Sequence, residues 1–401
     1  MALTNRRSAG ILLVILLIIP AIHCGRDPET GRIRVLYVGD MIRPSPYPVM
    51  EAEPLIDVRV AWPVGGDLTQ TSLPYAKKAI RQYIPRTFDS LSENDVIVID
   101  NPDVTIFEPK YLNWFRDSVL AGSGFFMVGG NAAFGGRPNP SWGPTAVQEI
   151  LPVWCVDFGW LEYGRLRVIE HGDELVSSLP MDRRWEWMEM LGGNEIPARE
   201  GALVLAEYVD PMGWFTNPFW VVWDVGEGRS LAQSVDWTPA GGTLLMRWPY
   251  YADYAVNLMI YLSKNPVPTD LDLLHRVRGM YLDYRSTRNY VFSVIDFGEK
   301  LGANMNRVYE VVEDADERRE SSVEEYLGYE FAGAAELLEE SIEVLRDASA
   351  LAFEIKERSM LWIFLIEWIT VTSTFALSGT LVWSLMVRRR LYRETRSTRF
   401  T

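Results

Sequence analysis

Residues 118–136 read SVLAGSGFFMVGGNAAFGG, and in them the end of a helix, a strand and a turn follow one another. The helix runs from Glu108 to Leu120, with Tyr111, Trp114, Phe115 and Val119 spaced for one face, and Gly122 and Gly124 close it. GFFMV is apolar without alternation, as a strand covered on both faces must be, and Gly129 and Gly130 turn the chain at its carboxyl end. Upstream, RIRVLYVGD (32–40), DVRVAWP (57–63) and NDVIVIDNPD (94–103) repeat the pattern, and a helix is expected over Tyr75–Tyr83. Strand, loop and helix in succession predict an α/β fold, a doubly wound parallel sheet with helices on both faces. Downstream, RLRVIEH, GALVLAEYV and a hairpin turning at Gly226–Gly228 predict antiparallel additions. A helix over Leu244–Ser263, with Pro249 in its first turn, closes the domain, and KNPVPTD (264–270) is the expected boundary.

Beyond it the pattern becomes helical without strands. Leu301, Met305, Val308 and Val312 recur at helical spacing, as do Leu327, Phe331, Ala334, Leu338, Ile342 and Leu345. Residues 307–358 hold 16 acidic and six basic side chains. An acidic helical hairpin or stalk is expected over 270–360, with a turn or hinge near 312–320. Leu361–Val387 then holds 27 residues with one charge, Glu367, long enough to cross a bilayer. Glu367 either snorkels outward or meets a polar partner on a neighbouring helix. Six arginines lie in the tail 388–401, and a basic flank prefers the cytoplasm. Residues 1–24 carry Arg6 and Arg7 before ILLVILLIIPAI, a signal peptide or an N-terminal anchor of the same orientation. The expected arrangement is a single-pass cell-membrane protein, its bulk extracytoplasmic and its C-terminus cytoplasmic. Its expected partners are the lipid bilayer and an envelope protein or a second copy, met through residues 270–387.

Composition bounds the function. The 401 residues carry 39 Lys and Arg against 54 Asp and Glu, a formal net charge of −15, and 48% are hydrophobic. This supplies a sizeable core and argues against nucleic acid as a partner. Two cysteines exclude a disulfide-rich scaffold and a four-cysteine zinc site.

RVLYVGD (34–40), DVIVID (95–100), the 118–136 stretch, ILPV (150–153), HGDEL (171–175), VGEGRSLAQSVD (225–236) and WPYYADYAVNLMIYL (248–262) occur in this order. Together they make residues 32–262, within a domain spanning 32–265, resemble the class I glutamine amidotransferase-like domains, in particular their membrane-associated branch. The resemblance implies a flavodoxin-like sheet and, in catalytic members, a Cys-His-Glu triad that hydrolyses glutamine. Its Cys sits in a Gly-x-Cys-x-Gly turn from strand to helix. The comparable turn here is Val128–Ala133, with Asn131 at the nucleophile's place, or Gly130 if the register slips by one. Neither side chain can attack a carbonyl. His171 resembles the family's histidine. A substitute triad would draw on Cys155, His171 and Glu174; the simpler readings are a buried, inert cysteine and a turn histidine. No cofactor and no resident metal are expected. The resulting expectation is a non-catalytic domain serving ligand or protein binding in an envelope complex. The alternative is a hydrolase or atypical amidotransferase with a non-standard site.

Ligands of doubly wound sheets bind past the carboxyl ends of the strands. Asp40, Asp67, Asp100 and Asp103 fall there, either as paired carboxylates for a cation or acid/base work or as turn caps. Gly129, Gly130 and Asn131 open a glycine-rich loop whose amides would suit an anion or a carbonyl. Phe134 and Trp142, with Trp62 and Tyr47, are candidates for an aromatic rim, against the alternative of simple packing. Trp185 and Trp187 flank Glu186 as a half-buried strand or a partner's anchor.

Overall fold

The computed structural model describes residues 25–39, 46–61, 73–136, 140–156, 159–181, 189–190, 192–238 and 243–397. The N-terminal segment 1–24, Asp40, Trp62, Asp67, Trp185 and Trp187 lie outside the described residues.

The first half alternates as its sequence pattern requires. In order come β1 (Ile33–Gly39), α1 (Tyr47–Ala52), β2 (Ile56–Val60), α2 (Leu73–Tyr83), α3 (Phe88–Ser92), β3 (Val96–Asp100), α4 (Pro109–Leu120) and β4 (Gly124–Val128). Thr87 caps α3 by accepting from the Ser90 amide, and Pro109 opens α4, where its missing N–H costs nothing. The second half adds β5 (Trp160–Leu161), β6 (Gly164–Val168), α5 (Glu174–Ser177), β7 (Glu189–Met190) and β8 (Gly193–Asn194). It continues with β9 (Leu203–Val209), β10 (Thr216–Val225) and β11 (Gly228–Gln233).

Nine strands form one sheet in the order β2-β1-β3-β4-β11-β10-β9-β6-β7. The five from β2 to β11 pair in parallel, and β10, β9, β6 and β7 extend the sheet antiparallel. β5 and β8 pair separately. β3 and β4 are buried at every residue because helices cover both faces. Leu36, Val38, Ile97, Ile99, Phe125 and Met127 face one apolar cluster with residues of α2 and α4. Tyr37, Val98, Phe126 and Trp220 face the other, on which Trp237 and the last helix of the domain pack.

That helix differs from the expected one. Instead of a continuous helix over 244–263 there are α6 (Thr243–Met246) and α7 (Tyr251–Leu262), separated at Trp248–Pro249. Pro249 lacks the N–H that would continue the ladder and disfavours helical backbone at the residue before it. α7 is buried on all sides but one residue, between the sheet and the helices that follow.

Those helices are three: α8 (Leu271–Lys300), α9 (Asn306–Leu327) and α10 (Phe331–Ser397). The expected hinge at 312–320 is the middle of α9. Glu313, Asp314, Glu317 and Glu320 are exposed and Asp316, Arg318 and Arg319 half-buried, while Val308, Val312, Ala315, Val323 and Tyr326 face inward. The turn falls at Gly328–Glu330 instead, with Tyr329 at φ 67°. α10 runs 67 residues, so no break separates the acidic segment from the apolar one. Phe331–Tyr392 contains a stretch long and apolar enough to cross a membrane, with none of its apolar window buried.

A buried ionic seam ties the helices to the sheet domain. Arg278 of α8 donates from Nη1 to Asp253 Oδ1 of α7 (2.9 Å) and from Nε to Glu53 Oε2, just after α1 (3.1 Å). Tyr326 of α9 donates to the same Glu53 oxygen (3.3 Å), and His275 Nδ1 lies 2.6 Å from Asp253 Oδ2. Burial pushes the Glu53 carboxyl above its usual range, and Arg278 works against that rise.

Candidate functional site

The carboxyl ends of β1, β3, β4 and β11 meet in register: Gly39 opposite Asp100, Asp100 opposite Val128, Val128 opposite Gln233. A side chain at residue 39 would collide with Asp100, its Cβ landing 2.5 Å from the Asp100 Cβ, so glycine closes the crevice floor there. Asp100 is fully buried and accepts from the Tyr37 hydroxyl. Burial, reinforced by the neighbouring Asp100 charge, raises the Tyr37 phenol well above its ordinary range, so it stays a donor. Asp103 accepts from the Thr105 amide and hydroxyl, both at 2.8 Å, the geometry of a turn cap.

The turn after β4 is held by amide side chains. Asn194 accepts from the Gly130 amide at 2.7 Å and donates to the Gly130 carbonyl at 3.1 Å. Asn101, itself in left-handed backbone at φ 54°, accepts from the Ala132 amide at 2.7 Å. Gly130 has φ 148°, and a Cβ on it would lie 2.3 Å from Asn101. The Gly130 and Ala132 amides of the glycine-rich loop are therefore taken up within the protein. The indole of Trp142 donates to the Ala132 carbonyl at 2.9 Å, and Trp142 and Phe134 are fully buried. They are core, not rim, because the loop folds back over the sheet and the strands leave an apolar pit that only large rings fill.

Asn131 alone of this turn is exposed, at the mouth of a cavity of about 240 Å³. Gly130, Gly135, Trp160, Asn194 and Glu195 also line it. The cavity offers an amide, one carboxylate, an indole and backbone groups. It can hold a small polar ligand, and among the described residues of its lining Glu195 is the ionisable one.

The substitute triad is not assembled. Cys155 packs with the apolar cluster on the α2/α4 face, its amide bonded to Gln148 (3.0 Å). His171 is exposed just before α5, whose Leu175 and Val176 belong to the opposite cluster, so the sheet stands between them. Glu174 accepts instead from the Val267 amide at 2.7 Å. Burial pushes the Cys155 thiol up to about 12, away from a reactive thiolate. Among the described residues no three His, Cys, Asp or Glu side chains converge for a metal.

Sequence reasoning missed Asn101, Asn194, Trp160 and Glu195. One signal was present: Gly-Gly-Asn occurs at 129–131 and again at 192–194, and the second copy clamps the first.

Parallel strands in the order 2-1-3-4-5, counting β11 as fifth, define a flavodoxin-like α/β protein. Residues 67–264 match the family model described as "Putative glutamine amidotransferase", so this part of the chain is a glutamine amidotransferase-like domain. Among solved structures, a cytoplasmic protein from Salmonella typhimurium LT2 is similar at 21% identity and TM-score 0.47, over 58% of this chain and 100% of its own. A second cytoplasmic protein from Salmonella typhimurium gives 20% and 0.46, over 57% and 99%. A cold-adapted β-galactosidase from Rahnella sp. R3 gives 14% and 0.36, over 59% of this chain and 33% of the galactosidase. No curated protein matches the sequence.

Proposed function

We propose that the chain is a single-pass membrane protein whose amidotransferase-like domain, residues 32–265, binds a ligand or protein without catalysis in an envelope complex. The helices of residues 270–360 carry that domain, residues 361–387 anchor it, and the tail 388–401 lies in the cytoplasm. The observation behind the reading is the turn after β4. Its one exposed side chain is the amide of Asn131, and the cysteine nearest in sequence, Cys155, is half-buried with its thiol raised by desolvation to about 12. An amide does not attack a carbonyl, and a neutral thiol away from any base attacks poorly. What remains at the crevice is a small polar cavity suited to holding, not converting, a ligand.

The test uses the full chain in detergent. Incubation with glutamine is expected to release no ammonia above buffer, and a thiol-alkylating glutamine analogue is expected to leave Cys155 unmodified. Turnover, or an adduct on Cys155, would overturn the non-catalytic reading. For the topology, protease added outside intact cells should remove residues 25–360 and spare the arginine-rich tail; the reverse pattern sinks it.

A further inference from the structure

A second cavity lies far from the strand ends, where α1 meets α8 and α9. It holds about 380 Å³, and three guanidinium groups reach it: Arg285, Arg288 and Arg319. The carboxylates facing two of them are already engaged. Glu51 takes Arg285 at 2.5 Å and the Tyr47 hydroxyl at 3.0 Å. Asp316 takes Arg288 at 2.7 Å and the Tyr284 hydroxyl. Burial alone would raise the Asp316 carboxyl, but the hydrogen bonds from Arg288 and Tyr284 and the charges of Arg288 and Arg319 hold it below its ordinary range, so it stays ionised, with Arg288 and Tyr284 already bonded to it. Arg319 differs. Among the described residues it has no carboxylate within 4 Å, and its guanidinium lies over the Tyr284 ring at 5.9 Å. Glu320 stands exposed at the rim. The cavity thus presents spare N–H donors from Arg319 and Asn289, walled by Tyr281 and Tyr284, with its inner acceptors spent.

The geometry points to a binding site for a small soluble oxyanion, a carboxylate or a phosphate, seated on Arg319 between the sheet domain and the helices. A guanidinium fork matches such a group in shape and charge. A lipid headgroup carries the same chemistry, but its position is against it. α8 and α10 run side by side in the same direction, Arg276 pairing with Glu339 and Asp283 with Arg346. The cavity therefore lies roughly 15–20 Å along the helices from Leu361, where the apolar stretch starts. This exclusion rests on the membrane reading above; the anion site itself does not. An occupant would touch α1 on one side and α8 and α9 on the other, and so would set how firmly the domain is seated on the helices that lead to α10.

The test is thermal unfolding of the full chain in detergent, titrated with inorganic phosphate or with succinate at constant ionic strength against chloride. At least one of the two is expected to raise the melting temperature saturably. Arg319→Gln, which breaks no ion pair, should melt like the parent without anion and bind it about tenfold more weakly or worse. Arg319→Lys should keep part of the effect. No stabilisation by either anion, or the same stabilisation in Arg319→Gln, overturns the site. So does a shift that depends on Arg319 but arises only in vesicles containing phosphatidylglycerol, because the occupant would then be lipid. Should Arg319→Gln melt lower by itself, Asn289→Leu on the opposite wall serves as the second variant. It should weaken the same anion, and unchanged binding there would count against the site.

Discussion

At the carboxyl ends of the strands the buried polar side chains that hold the turn after β4 are neutral amides, beside a fully buried Asp100 that takes the Tyr37 hydroxyl. At the junction of α1, α7, α8 and α9 they are ions. Asn101 and Asn194 spend their hydrogen bonds on the backbone of one turn, fixing its shape and leaving Asn131 and Glu195 to meet a ligand. Glu53, Arg278 and Asp253 spend theirs on each other, across three elements far apart in sequence. Ionisable groups are costly to bury, and the seam gathers three of them at the contact between domain and helices. In an amidotransferase the chemistry belongs in the crevice. Here the most strongly interacting groups lie where movement of the domain would be passed towards α10.

The sharpest way to break this contrast is Arg278→Met. It leaves the buried Glu53 without a cation, held only by the Tyr326 hydroxyl and the Leu55 amide, and Asp253 with only His275, and a loss of about 3–5 kcal/mol in denaturant unfolding is expected. The triple variant Arg278→Met, Glu53→Gln, Asp253→Asn should recover much of it; a single variant as stable as the parent would mean the seam holds nothing together. In the crevice the largest effect should come from Gly130→Ala. The backbone at φ 148° and the collision with Asn101 together predict about 1–3 kcal/mol. Asn194→Ala should cost a similar ~1–3 kcal/mol, by orphaning the amide and carbonyl of Gly130. If either crevice variant exceeded Arg278→Met, the ranking of the two regions would be reversed.

The two regions also differed in how much the sequence disclosed. Unbroken apolar runs such as VIVID and GFFMV announced the central strands, because burial on both faces leaves no other composition. The apolar stretch of α10 was equally plain. The turn at 129–131 is legible as a glycine-rich break after a strand, but the clamp by Asn194 is not. A long-range hydrogen bond between an amide and a backbone leaves no periodicity. For Phe134 and Trp142 the sequence leaves a ligand-binding rim and simple packing both open, and packing against the α4 side of the sheet is what the fold uses. The hinge expected at 312–320 rested on the density of charge, which a helix accommodates on its outer face. The seam was invisible, since Glu53, Asp253 and Arg278 lie more than 200 residues apart end to end.

Two smaller effects sharpen the comparison. Asp316 is held below the ordinary carboxylate range, so it binds fewer protons folded than unfolded in acid. Its contribution is complete above the unfolded value, about 4, and is lost as pH falls through the lower folded value. Arg288→Gln should therefore flatten the fall in melting temperature below about pH 4, while leaving the profile at pH 6–8 parallel to that of the parent. An unchanged acid limb would remove Asp316 from the account of the junction.

Cys155 should matter least to stability and most to interpretation. With its thiol raised to about 12 by burial, the folded chain at pH 8 holds far less thiolate than an ordinary cysteine, whose pKa is about 8.5. Iodoacetamide should label Cys155 in unfolded protein at least about a hundredfold faster than in folded protein. Cys155→Ser should leave ligand binding at the 240 Å³ cavity unchanged, because Cys155 does not line it. Rapid labelling of the folded chain, slowed by glutamine, would instead place a reactive sulfur within reach of substrate. The crevice would then have to be read as the chemical region after all, and the seam as no more than its support.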